Sequence, residues 1–158
     1  FVPGTWTFVV VGSLKGMATI EMTGEGSIVE VPSAVSVVME HHDFTLPDEV
    51  PSGDQVWRIT NADGVLHHMI LFSTPRLMTD DEVIATLGAV DSGSPVPEGI
   101  DPNAIFPVAT VGMLSKDQVV YQLISLPPGA YAAVCFLADP GMDVPHLMLG
   151  MVAEFTAV

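Results

Sequence analysis

Apolar and polar positions alternate with a period of two over much of the chain. Val35, Val37 and Met39 are interleaved with Ser36, Val38 and Glu40, which is how a strand with one better-buried face reads. The same reading, helped by β-branched and aromatic residues, predicts strands at 5–12, 17–23, 27–31 and 34–42, with a break at Pro32. Further strands follow at 55–61, 66–72, 108–112, 118–125, 130–137 and 149–157. Turn signals separate them: a turn-rich connection at 46–54, the tight turn Asn61-Ala62-Asp63-Gly64, and Pro128-Gly129, which suits a type II turn. The rhythm fails only at 73–106. There Thr79-Asp80-Asp81-Glu82 matches a capping box and predicts one short helix over 80–87, with Val83, Ile84 and Leu87 on one face and a stop at Gly88. Acidic residues in its first turn suit the positive end of the helix dipole. Residues 90–107, rich in Pro, Gly, Ser and Asp, extend this excursion. Short strands with regular turn signals and one helix indicate an all-β antiparallel sandwich or barrel. A single domain over 1–158 is expected, with 1–33 contributing its N-terminal strands.

Composition narrows the classes. At 158 residues the chain is long enough for one core without staples. Although 49% of residues are hydrophobic, polar residues interrupt every apolar run before the roughly 18 that a membrane helix needs. The sequence opens at Phe1 without a basic leader, so any targeting peptide is expected to lie outside it. Four cationic residues, Lys15, Arg58, Arg76 and Lys116, face 19 carboxylates, for a formal net charge of -15. That balance excludes a basic footprint for nucleic acid and favours, if any, a basic protein partner. A monomer is expected.

Ligand chemistry concentrates between two predicted strands. Cys135 is the only cysteine, so no internal disulfide exists. Ten residues separate it from His146, and four separate His146 from Met151. The loop thus carries a soft thiol, an imidazole and a thioether, three of the four donors of a His2Cys copper site with a weak axial Met. The missing His has two possible sources, the doublets His41-His42 and His67-His68. Alternation on a strand sends each pair to opposite faces, so only one member of a doublet can reach a shared core site. Periodicity does not choose between neighbours, because the preceding strand is apolar on both sides. Beside Glu40 and Asp43, the first doublet also suits an adventitious surface metal site.

Arg58-Ile59-Thr60-Asn61 through Leu66-His67-His68-Met69-Ile70-Leu71, with Pro128-Gly129-Ala130-Tyr131 and then Cys135, His146 and Gly150-Met151, resembles the cupredoxin (type 1 blue copper) domain. The resemblance spans about residues 35–158 and is strongest to small single-domain extracytoplasmic members, which are periplasmic, cell-surface or secreted. It implies a Greek-key β-sandwich, one copper ion, His67, Cys135 and His146 as equatorial ligands, and Met151 as the axial one. Two departures stand out. Position 68, often a polar residue tying the ligand loops together, is His; the ten-residue gap between Cys135 and His146 is longer than in the compact electron carriers, and Met148 lies near enough to compete with Met151.

The function expected is one-electron transfer through copper to a redox partner. His146 is the expected electron port, with Met142, Val144 and Leu147 as an apolar docking patch and Phe136, Val144, Pro145 and Leu149 as a dry shell. Copper oxidase or reductase activity is not expected, since Val134 and Phe136 flank Cys135 and no His-x-His pair exists. The alternative is copper handling, as a chaperone, resistance or storage protein, using Met148, Met151 and His41-His42.

Overall fold

The computed structural model describes residues 4–9, 17–22 and 30–158. The strand expected at 27–31 and the far ends of the two before it therefore lie mostly outside the described residues. Strands β1 (Gly4–Val9) and β2 (Met17–Met22) pair antiparallel, with Gly4 opposite Met22 and Val9 opposite Met17.

Residues 32–158 form a unit of their own. Its elements are β3 (Val35–Glu40), β4 (Asp43–Thr45), β5 (Glu49–Val50), β6 (Gly53–Asn61), β7 (His67–Thr74), α1 (Asp80–Ser92), β8 (Phe106–Leu114), β9 (Val119–Leu126), β10 (Gly129–Val134) and β11 (Val152–Ala157). They make a β-sandwich of two sheets, ordered β4-β3-β6-β9 and β5-β11-β10-β7-β8. Two neighbouring pairs, β3 with β6 and β5 with β11, run parallel rather than antiparallel. The period-2 pattern reports which face a side chain takes and carries no strand direction, which is why it did not foresee them.

Parity along each strand builds two cores. Val35, Val37, Met39, Trp57 and Ile59 from one sheet meet Met69, Leu71, Tyr131, Ala133 and Phe155 from the other. Residues of opposite parity on the five-stranded sheet, Phe72, Ala132, Val134 and Val152, face outward and are covered by Met78, Val83 and Leu87 on and beside α1. A sheet buried on both faces explains why its strands look apolar throughout. The helix overruns its predicted stop. It passes through Gly88 and ends at Gly93, whose φ of 68° is the left-handed cap conformation.

Both the β3–β4 turn and the β10 exit differ from expectation in ways that shape the site. Strand β3 ends at Glu40, and His41 and His42 form a two-residue turn with φ of 52° and 57°. The doublet is therefore not a pair of alternating strand residues. Likewise β10 stops at Val134, so Cys135 sits just beyond the last ladder pair, Val134 with Val152.

Candidate metal centre

His67 opens β7 on the inner parity, in register with Met69 and Leu71, so it points between the sheets while His68 points outward. The inner and outer assignments left open by sequence are thereby resolved: His67 is fully buried and His68 only partly so. Buried Asn61 prepares the approach to β7. Its side-chain N–H groups donate to the carbonyls of Val65 and Leu114, at 2.8 and 2.7 Å, and its Oδ1 accepts from the Asp63 N–H at 2.9 Å.

The ten-residue gap between Cys135 and His146 is closed by a narrow neck. Leu147 N–H donates to the Cys135 carbonyl at 2.7 Å, His146 N–H to the Leu137 carbonyl at 2.6 Å, and Ala138 bridges Pro145. Residues 146–149 then form a 3₁₀ turn that ends on Gly150, whose φ of 96° requires a residue without a Cβ penalty. That turn delivers Met151, whose N–H donates to the His146 carbonyl at 2.9 Å.

His67 Nδ1 and His146 Nδ1 stand 3.1 Å apart, and Cys135 Sγ lies 3.4 Å from His146 Nδ1. All three residues are fully buried, and their ligand atoms lie within 4.8 Å of one another. Met151 is buried in the same inner core as Cys135. Met148 is 52% exposed, and its sulfur lies 3.9 Å from where a Cβ on Gly88 would stand, toward α1. Of the two thioethers, the buried one is Met151.

The outer nitrogen of each imidazole meets a carboxylate. His67 Nε2 is 3.2 Å from Asp63 Oδ2, and His146 Nε2 is 3.2 Å from Asp139 Oδ1. Asp63 also accepts from the N–H groups of His41 at 2.8 Å and Gly64 at 2.6 Å. Burial pushes the Asp63 carboxyl up, but the hydrogen bonds from His67, Gly64 and His41 outweigh it and hold the group at about 2. Asp139 reaches a second ring as well: His42 Nε2 lies 3.3 Å from its other oxygen. The His42 ring packs 4.5 Å from that of His146 and 5.9 Å from that of His67, centre to centre.

Sequence reading missed Asp63, Asp139 and the inward role of His42. Asp63 had one available signal, its position four residues before His67, whereas the other two depend on a turn geometry and a loop fold that spacing does not encode. The His41 side chain, by contrast, is 84% exposed beside Glu40, and only its backbone N–H contributes, to Asp63. Burial bears on three expectations and corrects two of them. His146, the expected electron port, exposes no surface of its own; His42 and Asp139 cover it. Leu147 is buried against the α1 side and cannot join Met142 and Val144 at the surface. Val144 and Leu149 are 40% and 42% exposed, so they do not form a dry shell.

The donor set suits a soft or borderline cation. With a proton on each Nε2 shared toward its carboxylate, both Nδ1 lone pairs face one small buried space, and a single thiol proton cannot satisfy both. Burial pushes the Cys135 thiol up, opposed by N–H groups of His68 and Leu137 directed at the sulfur. Burial also pushes His146 down, against the pull of Asp139 and with the repulsion of His67 and His42. The neutral His146 imidazole favoured by this environment is the form that binds metal, and a cation reverses the preference at the thiol. His68, meanwhile, accepts from the Phe136 N–H at 2.8 Å and so ties β7 to the residue after Cys135.

No protein-family model matches the chain, and no curated protein does. Solved structures similar to it include dithionite-reduced auracyanin from Roseiflexus castenholzii, 20% identical with a TM-score of 0.49, covering 78% of this chain and 94% of that one. Auracyanin A, a blue copper protein from Chloroflexus aurantiacus, is 20% identical with a TM-score of 0.46, over 78% and 99%. Reduced rusticyanin is 18% identical with a TM-score of 0.44, over 78% and 77%. These are cupredoxins, the family that the sequence resembles. With TM-scores below 0.5 the likeness is loose, and the chemistry rests on the donors themselves.

Proposed function

We propose that the protein is a type 1 copper protein that carries single electrons, with His67, Cys135 and His146 as the close ligands and Met151 as the weak one. The observation that carries the reading is the convergence of two imidazole Nδ1 atoms and one cysteine sulfur in a buried space, with a buried thioether in the same core as the cysteine. Copper, when bound, supplies a one-electron couple between Cu(II) and Cu(I). The chain's part is to hold the donors still. Cys135 is tied to Met151 and Leu147 through its backbone, His146 to Leu137, and the strand of His67 is laddered to β10 and β8. Little in this arrangement is free to rearrange as charge changes, which is the condition for fast electron exchange.

Exposed Leu66, Met142, Val144, Met148 and Leu149 lie on or beside the segments that supply the ligands and offer an apolar rim for a redox partner. The net charge of -15 favours a basic one. No helix among the described residues is long and apolar enough to cross a membrane. An extracytoplasmic location and a monomeric, non-enzymatic role complete the proposal. The test is titration of the metal-free protein with Cu(II). One equivalent should produce an intense blue thiolate band that Cys135→Ser abolishes. A colourless adduct at one equivalent sinks the reading, and uptake of several Cu(I) ions per chain assigns the protein to copper storage or handling instead.

A further inference from the structure

Both candidate imidazole ligands are backed by an acid. The two carboxylates come from unrelated places, Asp63 from the turn before β7 and Asp139 from the loop after Cys135, yet each meets the outer ring nitrogen of a buried histidine at 3.2 Å. Each acid is itself held. Asp63 receives the His41 and Gly64 N–H groups, and the backbone of Asp139 is fixed by the Met142 N–H on its carbonyl, with His42 Nε2 3.3 Å from its second carboxylate oxygen. Their side chains are only 20% and 22% exposed, so water screens them weakly. Among the described residues neither pairs with Lys or Arg; their ionic partners are histidines alone.

Resting on the copper reading above, we infer that Asp63 and Asp139 are positioning residues that lock His67 and His146 in the Nε2–H form and bias the site toward the oxidised ion. A carboxylate at Nε2 holds the ring proton there, leaves the Nδ1 lone pair aimed at Cys135, and makes that nitrogen a stronger donor. A neutral acceptor would perform the first task. Only a charged one adds a field, and because Cu(II) carries one more positive charge than Cu(I), two adjacent negative charges stabilise it more. The pair therefore lowers the reduction potential, opposing the buried thioether, and makes the reduced protein the better electron donor.

Asn at either position keeps an oxygen to accept from Nε2–H while removing the charge, so it separates field from placement. In redox titrations followed by the blue band, Asp63→Asn and Asp139→Asn should each shift the ratio of Cu(II) to Cu(I) affinity about tenfold toward Cu(I), an increase of about 59 mV. The double variant should shift further, and Asp139→Glu should restore much of the loss. Unchanged or lowered potentials in the Asn variants overturn the inference. A copper-free measurement tests the clamp separately: ¹⁵N spectra of the metal-free protein should show both rings as the Nε2–H tautomer, with Asp63→Ala and Asp139→Ala releasing one ring each. Rings that already exchange between tautomers in the unsubstituted protein also overturn it. Absence of a blue band in the unsubstituted protein is a failure of the copper reading and leaves the ¹⁵N test standing.

Discussion

Two methionines after His146 are ambiguous by chemistry alone, and burial separates them. Met148 and Met151 offer the same thioether three positions apart, but Gly150 turns the chain so that Met151 enters the inner core while Met148 lies against Gly88. Met151→Ala should cost about 2–5 kcal/mol, the usual range for emptying a buried Met site. It should also shift the blue band. Met148→Ala should change stability by no more than about 0.5 kcal/mol and leave the band in place. Urea denaturation and the visible spectrum measure both, and a band shift confined to Met148→Ala would reverse the assignment. His68 is the second residue that structure clarifies. Although a His was unexpected there, its Nε2 takes the Phe136 N–H. Burial first, then His146 and His67, push its pKa down, which keeps that nitrogen a free acceptor. His68→Ala strands a partly buried N–H next to Cys135 and should cost about 1–3 kcal/mol. Equal urea midpoints for the two proteins would remove this role.

At the scale of elements, the start of α1 was readable and its end was not. Thr79 accepts from the Glu82 N–H at 3.3 Å, and Glu82 accepts from the Thr79 N–H at 3.0 Å, as the four-residue pattern predicts. Thr79→Ala should therefore cost about 1 kcal/mol by thermal unfolding, and a Tm identical to the unsubstituted protein would show the cap to be idle. Gly88 misled because glycine is a helix-ending residue only when the next turn has nothing to pack on. Here Ala89, in the turn beyond Gly88, is buried. The same contrast runs through the strands. Their existence was legible from alternation, and the Cys135, His146 and Met151 spacing was legible as ligand chemistry. Direction and partner were not, because β3 beside β6 and β5 beside β11 depend on crossings, one of 12 residues (41–52) and one of about a hundred (51–151), that alternation does not encode. The turn at His41 and His42 was hidden for a further reason. Two adjacent non-glycine residues with positive φ are rare, so the strand pattern was extended through them, and with it went the view of His42 as a cover for His146.

For the whole molecule, the helix and the ligand loop share the outer core, so whatever loosens α1 reaches Leu147 beside His146. Glu154 of β11 faces this layer, with Asp80 and Glu82 of α1 as its acidic neighbours. Burial first, then the hydrogen bond and charge of Asp80, push its carboxyl up to about 8. Glu82 cannot relieve it. Its own charge adds to the repulsion, and Arg76 is occupied by Glu82 at 2.6 and 2.9 Å. The consequence for stability has a definite sign. Below the ordinary value of 4.5 both folded and unfolded chains carry the Glu154 proton; above it the unfolded chain releases the proton while the folded one retains it. Stability from this group is full below pH 4.5 and is lost as pH rises toward 8. Glu82, drawn down to about 2 by Arg76 and the Thr79 N–H, acts oppositely, its contribution disappearing as pH falls from 4.5 toward 2. Self-repulsion among 19 carboxylates reinforces the first trend. In the metal-free protein the Glu154 contribution to Tm should decline from pH 4.5 to 8, while His68 and His146, whose pKa values burial lowers, add stability as pH rises toward 6.5, so the Glu154 trend is isolated by comparison with a Glu154 variant. Glu154→Gln keeps a donor for Asp80 without the titration, so it should flatten the alkaline decline and exceed the unsubstituted protein at pH 8. Parallel Tm profiles for the two proteins would show that the Glu154 and Asp80 pair does not govern how firmly the helix covers the sheet.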